Sequence, residues 1–115
     1  MQPKDEAVLL DIAFCAERIA AISGNVTYEL FALDVAVQEQ VQYRLIVMGE
    51  AVKRLSAEFR GEHTAVTWQS IAGARDVLIH GYERVNLRMV WEMASLHVPS
   101  LLDYVRPLLP PREPR

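Results

Sequence analysis

Apolar residues recur along this chain at alternating intervals of four and three, the spacing of one face of a helix. Val8, Ile12, Cys15, Ile19 and Ile22 form the first such stripe. Ser23 and Gly24 close it, with Gly24 expected in the left-handed cap conformation. A second stretch opens at Thr27, a fitting N-cap, and a break is expected at Leu33-Asp34, where Asp34 can cap a new helix. Val41, Leu45, Met48, Val52, Leu55 and Phe59 then predict one long helix that stops at Gly61, followed by a surface loop over 61–64. A third helix is expected from Trp68 to about His80, with Thr67 as its cap and Gly81 as its end. Asn86 caps a fourth helix, which carries Val90, Ala94, His97, Leu101, Val105 and Leu108. Pro99 lies inside that last pattern. It lacks a donor and frees the Ser95 carbonyl, so a kink is expected there rather than a full stop.

No segment alternates apolar and polar residues with the period of a strand. The expected fold is all-α, an antiparallel up-down four-helix bundle with a short extra helix or kink near Leu33-Asp34. Residues 1–109 are expected to form a single helical domain. The tail 110–115 contains Pro110, Pro111 and Pro114 and cannot extend a helix.

Composition narrows the class. The chain has 115 residues, 51% hydrophobic and 23% charged, which suits a globular domain. Cys15 is the single cysteine, so there is no intrachain disulfide and no zinc framework. No uninterrupted apolar run is long enough for a membrane span, and no signal peptide is evident at the N-terminus. A cytoplasmic location is therefore expected, with no membrane partner. The formal net charge of −3 argues against nonspecific coating of nucleic acid, so any nuclease activity must rely on local positive charge.

The chemistry-bearing segment is Arg75-Asp76-Val77-Leu78-Ile79-His80-Gly81-Tyr82. Arg75 can donate two hydrogen bonds to a phosphate, and His80 can move a proton near neutral pH. Together they make a minimal kit for cutting RNA: proton transfer at the ribose 2′-hydroxyl or the leaving 5′-oxygen, and stabilisation of charge at phosphorus. Asp76 lies four residues before His80 on the same face and is expected to support it. Arg75 and His80 are about 140° apart around the helix. A site that uses both needs a partner surface, a helix distortion, or a substrate that bridges them. By spacing alone, an Arg and a His five apart are more often ordinary surface residues than a site.

Other residues read as structural. Trp68 and Trp91 sit in apolar helical patterns and are expected to pack. His63 in a loop and His97 on an apolar stripe have no companion ligands, so no metal site and no cofactor are expected. Cys15 reads as a small core residue. Glu50, an acid in an apolar stretch, is expected to bond a neighbouring helix or to orient Arg75.

The segments Leu10-Asp11-Ile12, Ile46-Val47-Met48-Gly49-Glu50-Ala51, Trp68-Gln69-Ser70-Ile71-Ala72-Gly73, the Arg75 to Tyr82 stretch and Val90-Trp91 resemble the HepT family of HEPN domains over nearly the whole chain. That family's signature is Arg, four to six residues, then His, with a Tyr two positions after the His. Asp76 stands where Asn is more usual. The resemblance implies a HEPN-like bundle and an RNA endonuclease toxin that needs no metal, with Arg75 and His80 as catalytic residues. It implies a homodimer whose two Arg/His pairs meet in a cleft, which would also concentrate positive charge. Arg84 and Arg88 could widen that patch or could be solvated helix-end charges. It further implies a neighbouring antitoxin, the minimal nucleotidyltransferase MntA, which transfers AMP onto Tyr82. Added phosphate and bulk beside His80 would repel RNA and block the cleft. The competing readings are a non-catalytic helical partner of such a nucleotidyltransferase, and a bundle that has lost activity.

Overall fold

The computed structural model describes residues 1–81 and 85–111. Among them every regular element is helical. Helix α1 spans Pro3–Ser23, α2 Tyr28–Leu33, α3 Val35–Lys53, α4 Ala57–Glu62 and α5 Trp68–His80. A fourth long helical rod follows in sections: α6 (Leu87–Glu92), a π-helical turn (Met93–His97), α7 (Val98–Val105) and a 3₁₀ turn (Arg106–Leu108).

The caps follow side-chain chemistry. Thr27 accepts from the Leu30 N–H, Asp34 from the Val37 N–H, and Asn86 from the N–H groups of Arg88 and Met89. Each supplies one of the acceptors a helix start lacks. The break at Leu33-Asp34 is therefore real, and α2 is the short extra helix. Two expectations fail. Gly24 has φ −63°, so α1 ends without a left-handed residue. The long helix stops at Lys53 rather than Gly61, and Gly61 lies inside α4.

At that early stop α1 and the start of α4 are tied together. Asp5 is 1% exposed, and its carboxylate accepts from Ser56 N–H at 2.8 Å and from Ser56 Oγ at 2.7 Å. Ser56 Oγ in turn accepts from Phe59 N–H at 3.0 Å and so caps α4. The Asp5–Ser56 bonds pin the break, while Leu55 and Phe59 stay buried across it. Periodicity continued through a turn that it could not reveal.

Helices α1, α3 and α5 lie side by side with α3 in the middle, and the fourth rod packs against α1. Helices α1 and α3 run antiparallel, since Asp11 pairs with Arg54 and Phe14 meets Arg44. Their shared core includes Leu9, Ile12, Ile19, Val41, Leu45 and Val52, all nearly sealed from solvent. Burying each such side chain is worth about 1.5–3 kcal/mol.

The kink expected at Pro99 takes the form of the π turn before it. The Val98 N–H donates to Met93 O, one residue further back than in an α-helix. Ser95 Oγ donates to Trp91 O at 2.7 Å. The extra residue moves His97 off the buried stripe and puts Val98 there, so the buried positions are Val90, Ala94, Val98, Leu101, Leu102 and Val105, with Leu101 and Val105 as expected. Among the described residues, no helix is long and apolar enough to cross a membrane.

Candidate functional site

Arg75 is placed by close approach of two helices. A Cβ at Gly49 would collide with Arg75 Cβ and would lie 3.2 Å from Ile71 O, so only glycine lets α3 and α5 meet here. The Arg75 side chain is 22% exposed. Its Nη2 meets Glu50 Oε2 at 3.1 Å and its Nη1 meets Asp76 Oδ1 at 2.9 Å. Nε is buried and has no hydrogen-bond partner among the described residues. The two distal nitrogens are thus fixed by carboxylates, and the stem is trapped against α3.

Lys53 adds a second cation. Its Nζ lies 2.7 Å from Asp76 Oδ1. The hydrogen bond from Lys53, with a further one from Arg75, holds the Asp76 carboxyl below the usual carboxylate range. Two cations, Arg75 and Lys53, face two anions, Glu50 and Asp76, so the cluster is neutral within one chain. Asp76 was expected to support His80, but its carboxylate is committed to Lys53 and Arg75. His80 stands in the last turn of α5, exposed and without a hydrogen bond among the described residues. Gly81 closes the helix, its N–H donating to Val77 O at 2.8 Å. Arg75 turns toward α3 and His80 toward solvent, as the helical spacing indicates.

Glu50 is the acid expected to bond a neighbouring helix or orient Arg75, and its contact does both. Sequence reasoning gave no role to Lys53. Its signal was position: it lies three residues after Glu50, on the same side of α3. Tyr82 and Arg84 lie outside the described residues. Arg88 packs its guanidinium 4.3 Å from the Tyr28 ring and lies 4.0 Å from Glu92.

The residues set aside earlier are structural. Trp68 is buried, and its Nε1 donates to His63 O at 2.8 Å. Trp91 packs on Phe31 with ring centroids 5.4 Å apart. His63 Nδ1 shares a hydrogen bond with Tyr104 Oη at 2.8 Å and ties the α4–α5 connector to α7. Cys15 is buried, and burial pushes its thiol up, against the opposing influence of Arg44. Between α5 and the fourth rod, with Met48 of α3 in its lining, runs an apolar groove of about 680 Å³. Met48, Ile71, Val77, Met89 and Met93 line it.

Comparison with known proteins identifies the family. The family described as Ribonuclease HepT-like matches residues 12–108, which include α3, α5 and the whole Arg75 cluster. A protein of Caldanaerobacter subterraneus subsp. tengcongensis, provisionally named an RNase, is 39% identical over 108 residues, covering 94% of this chain and 93% of that protein. A probable ribonuclease HepT of Thermococcus cleftensis is 33% identical over 101 residues, covering 88% of this chain and 92% of its own. A provisionally named RNase of Methanocaldococcus jannaschii is 32% identical over 110 residues, covering 95% of this chain and 91% of that protein. No solved structure matches the chain at a significant level. With an all-helical bundle and a family match across most of its length, the chain belongs to the HepT-like ribonucleases.

Proposed function

We propose that this chain is the toxin of a HepT/MntA toxin–antitoxin pair: a cytoplasmic, metal-independent RNA endonuclease acting through Arg75 and His80 at a homodimer cleft. The observation that carries this reading is the contrast between the two residues. Arg75 is held between two helices, while His80 stands free about one and a half turns further on. A fixed cation and a solvent-facing imidazole are what phosphodiester cleavage asks of them.

The step balances without a cofactor. The ribose 2′-oxygen attacks phosphorus, and the bond to the 5′-oxygen breaks. One His80 takes the 2′-hydroxyl proton, and the His80 of the second copy gives a proton to the leaving 5′-oxygen. Arg75 faces the phosphate oxygens as charge builds there. The two side chains diverge within a chain, which supports a site shared between copies. The apolar groove beside α5 supports the homodimer, because Val77 on its wall is 49% exposed in the single chain. In this reading the Glu50 and Asp76 carboxylates hold Arg75 until RNA phosphate competes for it. Arg84 and Arg88 extend the positive patch. AMP transfer to Tyr82 by an MntA-like nucleotidyltransferase would silence the site by adding negative charge next to His80.

A second reading rests on one observation: Arg75 already carries two carboxylates, as a purely structural arginine would. The chain would then be a non-catalytic helical partner of a nucleotidyltransferase. Incubating the purified, unmodified protein with RNA in the presence of a chelator separates the two. Cleavage by the natural protein and its loss in His80→Ala supports the ribonuclease. An inert natural protein that still binds the transferase supports the partner.

A further inference from the structure

On the outer side of the α1/α3 pair, the Arg44 guanidinium lies over two aromatic rings. Its guanidinium carbon lies 5.3 Å from the Phe14 centroid and 5.3 Å from the Tyr43 centroid. Both rings are open to solvent, Phe14 at 47% and Tyr43 at 55%. Large aromatics this exposed have not been recruited to the core, and neither helix needs them for packing. Next to these rings is a shallow pocket of about 450 Å³ whose walls include Arg18, Ile22, Glu39, Gln40, Tyr43 and Arg44. Neither Arg18 nor Arg44 forms an ion pair with a described carboxylate, unlike Arg54, Arg75, Arg88 and Arg106.

Helical geometry links this patch to the Arg75 cluster. Tyr43 and Glu50 are seven residues apart on α3, so they lie within about 20° of one another and about 10 Å apart along the axis. Glu50 is the residue that holds Arg75. One solvent-facing strip of α3 therefore leads from an aromatic–arginine stack to the proposed cleavage site.

We infer that Phe14, Tyr43 and Arg44, with Arg18, form a base-stacking subsite for single-stranded RNA. It would hold an unpaired nucleotide flanking the bond cut at Arg75 and His80. The inference rests on the ribonuclease reading for the direction of the strand, but the subsite binds RNA on its own chemistry. Flat rings and a guanidinium plane accept any unstacked base, and Arg18 is available to the adjoining phosphate. Double-stranded RNA keeps its bases stacked and cannot use such a platform. The subsite also answers the chain's net negative charge: RNA is held by stacking and two local arginines rather than by a broadly basic surface.

The test measures binding and cleavage separately. Fluorescein-labelled short single-stranded RNA of mixed sequence, and its duplex, are titrated against full-length His80→Ala protein by fluorescence anisotropy. Phe14→Leu and Tyr43→Leu, added to that background, are expected to raise the Kd for the single strand about tenfold each, while Tyr43→Trp retains binding. Melting temperature checks that the variants remain folded. In the His80-containing enzyme, Tyr43→Leu should raise KM by the same factor with kcat unchanged. Equal Kd values across natural and leucine variants would overturn the subsite. So would leucine variants that alter the sedimenting mass and leave the Kd alone, because the patch would then be a protein contact. If the leucine variants lose RNA binding but the natural protein never cleaves RNA, the subsite stands and the ribonuclease reading fails.

Discussion

The Glu50 carboxylate on α3 reaches across to the Arg75 guanidinium on α5 at 3.1 Å. The contact couples two helices and aims one catalytic candidate. Its Glu50 end is half exposed, so its share of stability is small, below about 1 kcal/mol. Its share of positioning is larger. Glu50→Ala is expected to lower kcat/KM for RNA cleavage about tenfold to a hundredfold while the urea midpoint barely moves. Equal loss of stability and activity would make Glu50 a structural residue only.

Gly49 provides the clearance for that pair. Gly49→Ala places a methyl group where Arg75 Cβ already stands. Overpacking of this kind costs about 1–3 kcal/mol. The expected result is a lower urea midpoint with an unchanged m-value, together with weakened cleavage, because Arg75 must shift when α3 and α5 separate. A midpoint equal to that of the natural protein would show that the helices can part freely.

His80 is exposed and unpartnered among the described residues, so His80→Ala should alter stability by less than about 0.5 kcal/mol. RNA cleavage should fall at least about a hundredfold. Arg75→Ala should match it in activity, and analytical ultracentrifugation should find the same sedimenting mass as for the natural protein. Retained cleavage in both variants would sink the assignment of Arg75 and His80.

Asp5 sets an acid limb. Burial works to raise its carboxyl, but the two Ser56 hydrogen bonds, helped by Lys4 and the N-terminus, bring it below the ordinary value. A lowered folded value means the contribution is fully present above the ordinary carboxylate range, about pH 4. It is lost as pH falls from there through the folded value. Asp5→Asn should flatten this part of the stability–pH profile and cost about 2 kcal/mol near neutral pH. Asp76 is lowered too but is half exposed, so Asp5 should dominate the slope.

Tyr82 is tested by intact mass. Co-expression with a neighbouring minimal nucleotidyltransferase should add one AMP to the natural protein and none to Tyr82→Phe, which should escape neutralisation. A Tyr82→Phe protein silenced equally well would point to sequestration by the partner.

Side chains that act locally were legible in the sequence. Thr27, Asp34 and Asn86 cap their helices because a short polar side chain at a helix start has one obvious use. The stripes on α1 and α3 fall in the core because period determines face. What escaped depends on residues distant in sequence. Ser56 caps α4 locally, a signal the unbroken apolar spacing masked, and its bonds to Asp5 on α1 are encoded by no local pattern. Asp76 has its expected neighbour His80 one turn away, yet Lys53 on another helix offers a full charge at 2.7 Å and wins it. The role of Gly49 became visible only once the partner helix was in place.

The wide turn at Met93–His97 has a consequence for chain length. Across it one buried row runs through Val90, Ala94, Val98, Leu102 and Val105, with Leu101 buried beside it. Remove one residue between Ala94 and Val98, such as the 63% exposed Leu96, and their spacing becomes four, three, four, three. The turn is thus a single-residue insertion stored inside a helix. A version of this chain one residue shorter there could keep the same core. It would differ on the outside, in the direction from which His97 meets the apolar groove.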